Sequence, residues 1–326
     1  MQERTVGEAG EAEVLRIVLA GVGPSRAEVG PGDDAAVIAL PTDRLVATTD
    51  TLVHGPDFRL AWSSGRDLGW KAAAVNLADV AAMGARPVAL LVALAMPDDT
   101  PLGFVADLAE GLRDACAALA PMCAVEGGDL TASDTLTIAV TALGALDRPA
   151  VRRSGARIGD TVALAGEAGP AARGLRLLFD RFRDAAGTPV PIDLTTLTEA
   201  ERADVARQLR PHPPIDAGPR AAAAGATAMM DVSDGLVLDA TRLADASAVT
   251  LSLETEALGP DPDVALAGGE DHGLLATFAP GAVLPVGFRR IGAVRVRGAD
   301  AVIVDGRPYR GRGGWDPYSD WDAVRG

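Results

Sequence analysis

The sequence predicts an α+β protein of two domains, each a mostly antiparallel or mixed sheet packed with helices. Three observations predict it. Strand-like runs occur next to each other rather than in strict alternation with helices. Long helical segments separate these runs. A polar stretch rich in Gly and Arg, DRPAVRRSGARIGD at 147–160, breaks the chain, and 326 residues suffice for two domains of ordinary size. The expected division is 1–150 and 151–326.

Taken in order, residues 8–20 carry apolar positions at helical spacing. Strands are expected at 35–40 and 44–49, joined by the turn Pro41-Thr42-Asp43. An Ala-rich helix follows at 66–83, with Gly84 as its stop. The apolar run 87–96 reads as a strand, and 101–119 as a helix opened by Pro101. AVEGGDLTAS reads as a strand end plus a Gly-rich turn, and 135–146 as another strand. In the second half, strands are expected at 161–165, 249–253, 273–278, 289–296 and 301–304. Helices are expected at 170–183, 198–209, 216–224 and 235–247.

Composition narrows the function. The chain is 48% hydrophobic and 23% charged, close to an ordinary globular protein. Only 4% is aromatic, so the cores must be built from Ala, Val, Leu and Ile. A net charge of −15 argues against nucleic acid and against an anionic membrane as partners. No apolar run approaches the ~20 residues of a membrane span. The opening MQERTVGEAGEAE has no apolar core of a secretory signal. Cys116 and Cys123 are too few for a disulfide framework and suit a reducing compartment, so a cytoplasmic protein is expected. Lys71 is the single lysine, in GWKAAA. A G-x-x-x-x-G-K-[ST] phosphate loop is therefore excluded, and nucleotide phosphates would need other countercharges.

Those countercharges are suggested by acids beside Gly, Ser, Thr or strand ends. They are Asp33 and Asp34 in PGDDAAV, Asp50 in TTDTL, Asp79 in NLADVAAMGA, Asp129 in EGGDLT, Asp231 and Asp234 in DVSDGL, and Glu270 with Asp271 in GGEDHGL. Hard divalent cations prefer oxygen ligands, and Mg²⁺ takes one or two carboxylates plus waters and substrate phosphates. Each acid also has a purely structural reading. Asp33-Asp34 and Asp50 could close turns, and Asp231 or Ser233 could cap the following helix. EGGDL could be a hairpin turn. Asp79, on a helix apolar on most faces, needs a partner such as Lys71 or an arginine if it holds no metal.

In this order, GDDAAV, TTDTLV, WKAAAVNLADVAAMGARP, EGGDLT, RSGARIGD, DVSDGL and AGGEDHGL resemble the thiamine-monophosphate kinase family. It belongs to the ATP-binding superfamily of aminoimidazole ribonucleotide synthetase and selenophosphate synthetase. The resemblance implies transfer of the γ-phosphoryl group of ATP to thiamine phosphate, assisted by several Mg²⁺ ions. It implies Asp34, Thr48, Thr49, Asp50, Asp79, Asp129, Asp231 and Asp234 at the metals. It implies Gly128, Asp129, Arg153 and Ser233 at ATP, Glu270 at the thiamine part, and Tyr318 in WDPYSDW against the substrate ring. A homodimer formed through the N-terminal domain is implied in the same way.

The chain departs from the family in HGPDF. Asp57 stands where the family often carries a His that meets the substrate phosphate, and His54 lies three residues earlier. A carboxylate there repels a phosphate unless a metal intervenes. No histidine sits in a nucleophile motif, so direct transfer without a phospho-enzyme is expected. The alternatives are a sister enzyme of the superfamily and a nucleotide-binding regulator without turnover. A selenophosphate synthetase would show a reactive Cys near the N-terminus, and none is there.

Overall fold

A computed structural model describes residues 4–32, 34–311 and 313–314. The first half builds a four-stranded sheet in the order β1-β4-β2-β3. Its strands are β1 (Leu45–Val53), β2 (Arg86–Met96), β3 (Ala124–Ala132) and β4 (Thr137–Ala145). β4 runs antiparallel to β1 and β2, while β2 and β3 run parallel. Its helices are α1 (Val6–Ala9), α2 (Glu11–Val22), α3 (Gly65–Ala82) and α4 (Leu102–Leu119).

The second half builds a seven-stranded sheet in the order β11-β10-β7-β9-β5-β8-β6. It contains β5 (Thr161–Ala165), β6 (Ala228–Val232), β7 (Thr250–Leu253), β8 (Gly273–Phe278), β9 (Phe288–Arg295), β10 (Val302–Val304) and β11 (Arg307–Pro308). Only the β7–β10 pair is parallel. Its α-helices are α5 (Pro170–Arg181), α6 (Glu199–Leu209), α7 (Ala217–Ala223), α8 (Leu236–Ser247) and α9 (Pro262–Ala267). Both sheets are thus mixed and helix-packed, as the sequence predicts.

Helix α3 explains how so few aromatics suffice. Ser64 caps it, its hydroxyl accepting from Asp67 N–H while the Asp67 side chain accepts from Ser64 N–H. Buried residues occur on all sides of it, from Leu68 to Ala82. Its apolar positions join a core cluster that contains Val92 and Ile138 of the first sheet and Ala163, Met229 and Leu274 of the second. The helix therefore lies as a shared layer between the two sheets. Small residues permit this: a Cβ on Gly69 would come within 2.0 Å of the Leu108 carbonyl oxygen of α4. A second core, with Leu236, Leu243 and Leu251, fills the space under α8. A third packs Trp62 on Leu178, Phe182 and Val205.

Three expectations are corrected. Residues 35–40 form no strand; an isolated antiparallel bridge joins Val29 and Val37, and Val37 and Leu40 are exposed. An apolar run without a neighbouring strand cannot satisfy its backbone as a sheet. AVEGGDLTA forms one strand, β3, with a bulge at Glu126 instead of a turn, and β6 forms where no strand was expected.

Candidate functional site

Strand β6 delivers Asp231, and the turn Ser233-Asp234-Gly235 follows at its end. Gly235 has φ 138°, a conformation that L side chains rarely adopt. Asp239, in the first turns of α8, is fully buried and shapes this turn. One of its oxygens accepts from the N–H groups of Ser233, Asp234 and Gly235 at 3.1, 3.1 and 3.3 Å. Arg242 braces the arrangement, donating to Asp239 at 2.7 Å and to Asp234 at 2.6 Å.

Strand β1 and helix α3 bring two further carboxylates. Thr48 Oγ1 donates to Asp79 Oδ2 at 2.9 Å, and Asp50 N–H donates to Asn76 Oδ1 at 3.1 Å. Burial, then the charges of Asp231 and Asp50, push Asp79 up to about 7. Burial and Asp231 likewise raise Asp50. Burial, then Asp231 and Asp234, raise Asp239 to about 6. The acids from both halves thus share one field. Lys71 does not pair with Asp79; that structural reading is corrected, because Lys71 meets Glu270 instead.

His272 Nδ1 lies 3.3 Å from Asp231 Oδ2, and its Nε2 has no hydrogen-bond partner among the described residues. Burial disfavours its protonation, but Asp231 and Glu270 outweigh that and raise it.

The donor set fits a hard divalent cation. Carboxylates that lift one another's proton affinity want positive charge between them. Among the described residues no three Asp, Glu, His or Cys side chains converge on one metal-sized point. Mg²⁺ takes one or two carboxylates and completes its shell with water and phosphate oxygens.

Not every expected residue joins this cluster. Pairing register places Thr48 and Asp50 on the core face of the first sheet, in rows with Ala142 and Val140. Thr49 and Asp129 fall on the opposite face, because side chains alternate along a strand. There Thr49 Oγ1 donates to the Val140 carbonyl at 3.0 Å and Asp129 is exposed. Asp34 is exposed, in the segment whose Ser25 and Arg26 hydrogen-bond Glu126 of β3. At Gly128 a Cβ would strike the Val92 carbonyl oxygen at 1.9 Å, so only glycine fits that strand. The Arg153 carbonyl accepts from Ser247 at the far end of α8, a 12-residue helix ~18 Å long. The structure does not bring it beside Ser233. Tyr318, with Trp315 and Trp321, and Asp33 lie outside the described residues.

A cavity of about 480 Å³ opens beside Ser233 and Asp234. Its lining includes the apolar side chains Phe58, Trp62, Phe179 and Leu209 and the charged Asp57, Arg59, Lys71, Arg176 and Glu270. Trp62 is set by its indole N–H, which donates to the Phe182 carbonyl at 3.1 Å, and by an edge contact with Phe179 at 5.0 Å. Asp57 Oδ2 accepts from Val53 N–H at 2.7 Å; burial, with Glu270 near, raises its pKa. Glu270 has φ 72° and pairs with the buried Lys71 ammonium. Burial raises the Glu270 carboxyl, but Lys71, His272 and Gln208 together outweigh it and hold the carboxyl below the ordinary range. Asp271 faces away and accepts from Gly169 and Ala171 N–H at the start of α5. Lys71, Trp62, Phe179 and Asp239 were not singled out as site residues from sequence. Only Lys71 left a signal, as the single lysine on a helix with little polar surface.

Residues 32–146 match the family described as AIR synthase related protein, N-terminal domain. Over 335 residues the chain is 38% identical to the thiamine-monophosphate kinase of Mycobacterium tuberculosis, covering 98% of this chain and 94% of that one. It is 40% identical to the thiamine-monophosphate kinase of Corynebacterium glutamicum, covering 96% and 95%. The chain belongs to the thiamine-monophosphate kinase family. A solved member, AaThiL complexed with AMPPCP and TMP, superposes with a TM-score of 0.73 at 32% identity, covering 94% of this chain and 97% of that one. Family membership fits both halves of the site, the carboxylate cluster and the aromatic cavity beside it.

Proposed function

We propose that this chain transfers the γ-phosphoryl group of ATP to thiamine phosphate, giving thiamine diphosphate and ADP. One observation carries the reading beyond family membership: the carboxylate cluster and the aromatic-lined cavity adjoin at Ser233-Asp234. AMPPCP is an ATP analogue, and the AaThiL complex holds it together with TMP. Thiamine is an aromatic cation. Trp62, Phe58 and Phe179 offer rings to stack on, and Asp57 and Glu270 offer negative charge.

Asp50, Asp79 and Asp231, with Asp234, are the residues that would hold Mg²⁺ on the core face. Thr49, Asp129 and Asp34 would serve the outer face. Bound there, Mg²⁺ supplies countercharge to phosphate oxygens, the task that this chain has no phosphate-loop lysine to perform. Asp239 and Arg242 hold the Ser233-Asp234 turn, and Asn76 and Thr48 fix Asp50 and Asp79. The acceptor is already an ionised phosphate, so positioning matters more than a strong base. Direct in-line transfer follows, and His272 is committed to Asp231 rather than to a nucleophilic role.

On this reading residues 1–150 form an ATP- and metal-binding domain that also dimerises, and 151–326 complete the site. The protein acts in the cytoplasm as a homodimer. Among the described residues no helix is long and apolar enough to cross a membrane. The test is a product assay with ATP, Mg²⁺ and thiamine phosphate, and thiamine in parallel. Thiamine diphosphate formed from thiamine phosphate and only with Mg²⁺ is the expected result. Nucleotide binding without product would overturn it in favour of a sister activity or a regulator.

A further inference from the structure

Glu126 is 1% exposed, yet no arginine or lysine among the described residues forms an ion pair with it. A buried carboxylate without a cation is expensive unless hydrogen bonds replace its water. Here they do. Arg26 N–H donates to Glu126 Oε1 at 2.8 Å, and Ser25 Oγ donates to Oε2. Ser25 Oγ also accepts from Ala27 N–H at 3.1 Å. Gly30 packs against the same point, since a Cβ there would meet Ser25 Oγ at 2.3 Å.

The strand itself is built to present this side chain. Leu90 pairs with Val125 and Leu91 with Gly127, so Glu126 is the extra residue of a β-bulge. A bulge re-aims a side chain that regular alternation would point elsewhere. Three residues later comes Asp129, and Gly128 lies between. On the other side of the contact, the 25–37 segment is closed by Val37 N–H donating to the Val29 carbonyl and Glu28 N–H to the Val37 carbonyl, both at 2.8 Å. Asp34 sits inside that closed stretch. One carboxylate therefore joins the segment carrying Asp34 to the strand carrying Asp129.

We propose that Glu126 is a positioning residue for the nucleotide side of the site, anchoring the 25–37 segment on β3 so that Asp34 and Asp129 act together. The inference rests on the ATP-dependent function proposed above. Glu126 touches no substrate; it acts through the segment it holds.

The experiment compares wild type, Glu126→Ala and Glu126→Gln by backbone amide exchange at Arg26 and by steady-state kinetics. Glu126→Ala should speed exchange at Arg26 and raise KM for Mg·ATP on the order of tenfold, from loss of charge-assisted hydrogen bonds. KM for thiamine phosphate should stay within about twofold, since no residue of β3 lines its cavity. Glu126→Gln, whose carbonyl still accepts from Arg26 N–H, should recover most of the loss. If Glu126→Ala does not fold, Ser25→Ala removes one donor and should shift the same two readouts in the same direction. Unchanged exchange, equal effects on both KM values, or a Gln variant no better than Ala each overturn the proposal. An inactive wild type that binds no Mg·ATP overturns the proposed function itself, and this inference with it; an active wild type matched by Glu126→Ala overturns the inference alone.

Discussion

The Lys71 ammonium and the Glu270 carboxylate meet at the wall of the aromatic cavity, the lysine from α3 of the first half and the glutamate from the loop before β8 of the second. Replacing Lys71 with Met removes the ammonium that contacts Glu270 and leaves that carboxylate near Asp57 with only the more distant His272 and Arg59 charges. KM for thiamine phosphate should rise about tenfold or more, and stability should fall by about 1–3 kcal/mol. Melting curves and substrate titrations check both. An unaltered KM would remove the pair from substrate recognition.

Asp79 and Asp239 set a pH signature. Their folded-state values, about 7 and about 6, lie above the ordinary value of 3.8. The folded chain therefore binds these protons more tightly than the unfolded chain. Their contribution to stability is fully present below about pH 4 and is lost as pH rises through 6 to 7. In chelator, wild type should lose on the order of 2–4 kcal/mol more than Asp79→Asn over that range. Mg²⁺ should cancel the difference. Parallel curves for the two proteins would show that Asp79 feels no such field.

Asp79→Asn keeps an oxygen for the Thr48 hydroxyl but loses the charge. Turnover should drop by on the order of a hundredfold or more, while the metal-free protein melts no lower than wild type. A pure folding defect would reverse that pattern.

Asp239→Ala strips the acceptor from three backbone N–H groups and leaves Arg242 with Asp234 as its remaining carboxylate partner. The expected cost is about 1–3 kcal/mol, with weaker Mg·ATP binding because the Ser233-Asp234 turn is no longer held. Calorimetric titration with Mg·AMPPCP checks the second effect.

Phe179→Leu keeps an apolar side chain at the cavity but removes the ring that Trp62 contacts edge-on. KM for thiamine phosphate should rise several-fold, with KM for ATP unmoved. Equal changes in both would move the aromatic wall away from the thiamine side.

Much of the fold was legible because its elements obey local rules. Residues 161–165 and 273–278 match β5 and β8 residue for residue, and α3 and α4 begin and end within a residue of expectation. What failed was non-local. Residues 35–40 have the composition of a strand but no neighbour to pair with. Ala228–Val232 is only five residues long and runs straight into the Ser233-Asp234-Gly235 turn, so its local pattern reads as part of that turn. In the site, Asp79 stood out as a charge on an apolar helix and Asp50 and Asp231 as acids at strand ends beside Thr and Ser, and the structure brings the three into one field. Asp239 looked like any acid near a helix start. The meeting of Lys71 with Glu270, and of Trp62 with Phe179, depends on how the halves pack. No spacing rule encodes that.

The shared position of α3 has a consequence for synthesis. The first sheet and α3 leave the ribosome before β5, β6 and β8 exist. Until those strands arrive, the side of α3 that will meet Met229, Leu274 and Phe278 has only water against it. The nascent first half is thus a sticky intermediate, one that trigger-type chaperones would be expected to shield. Proteins truncated near the junction should aggregate rather than survive as a working half.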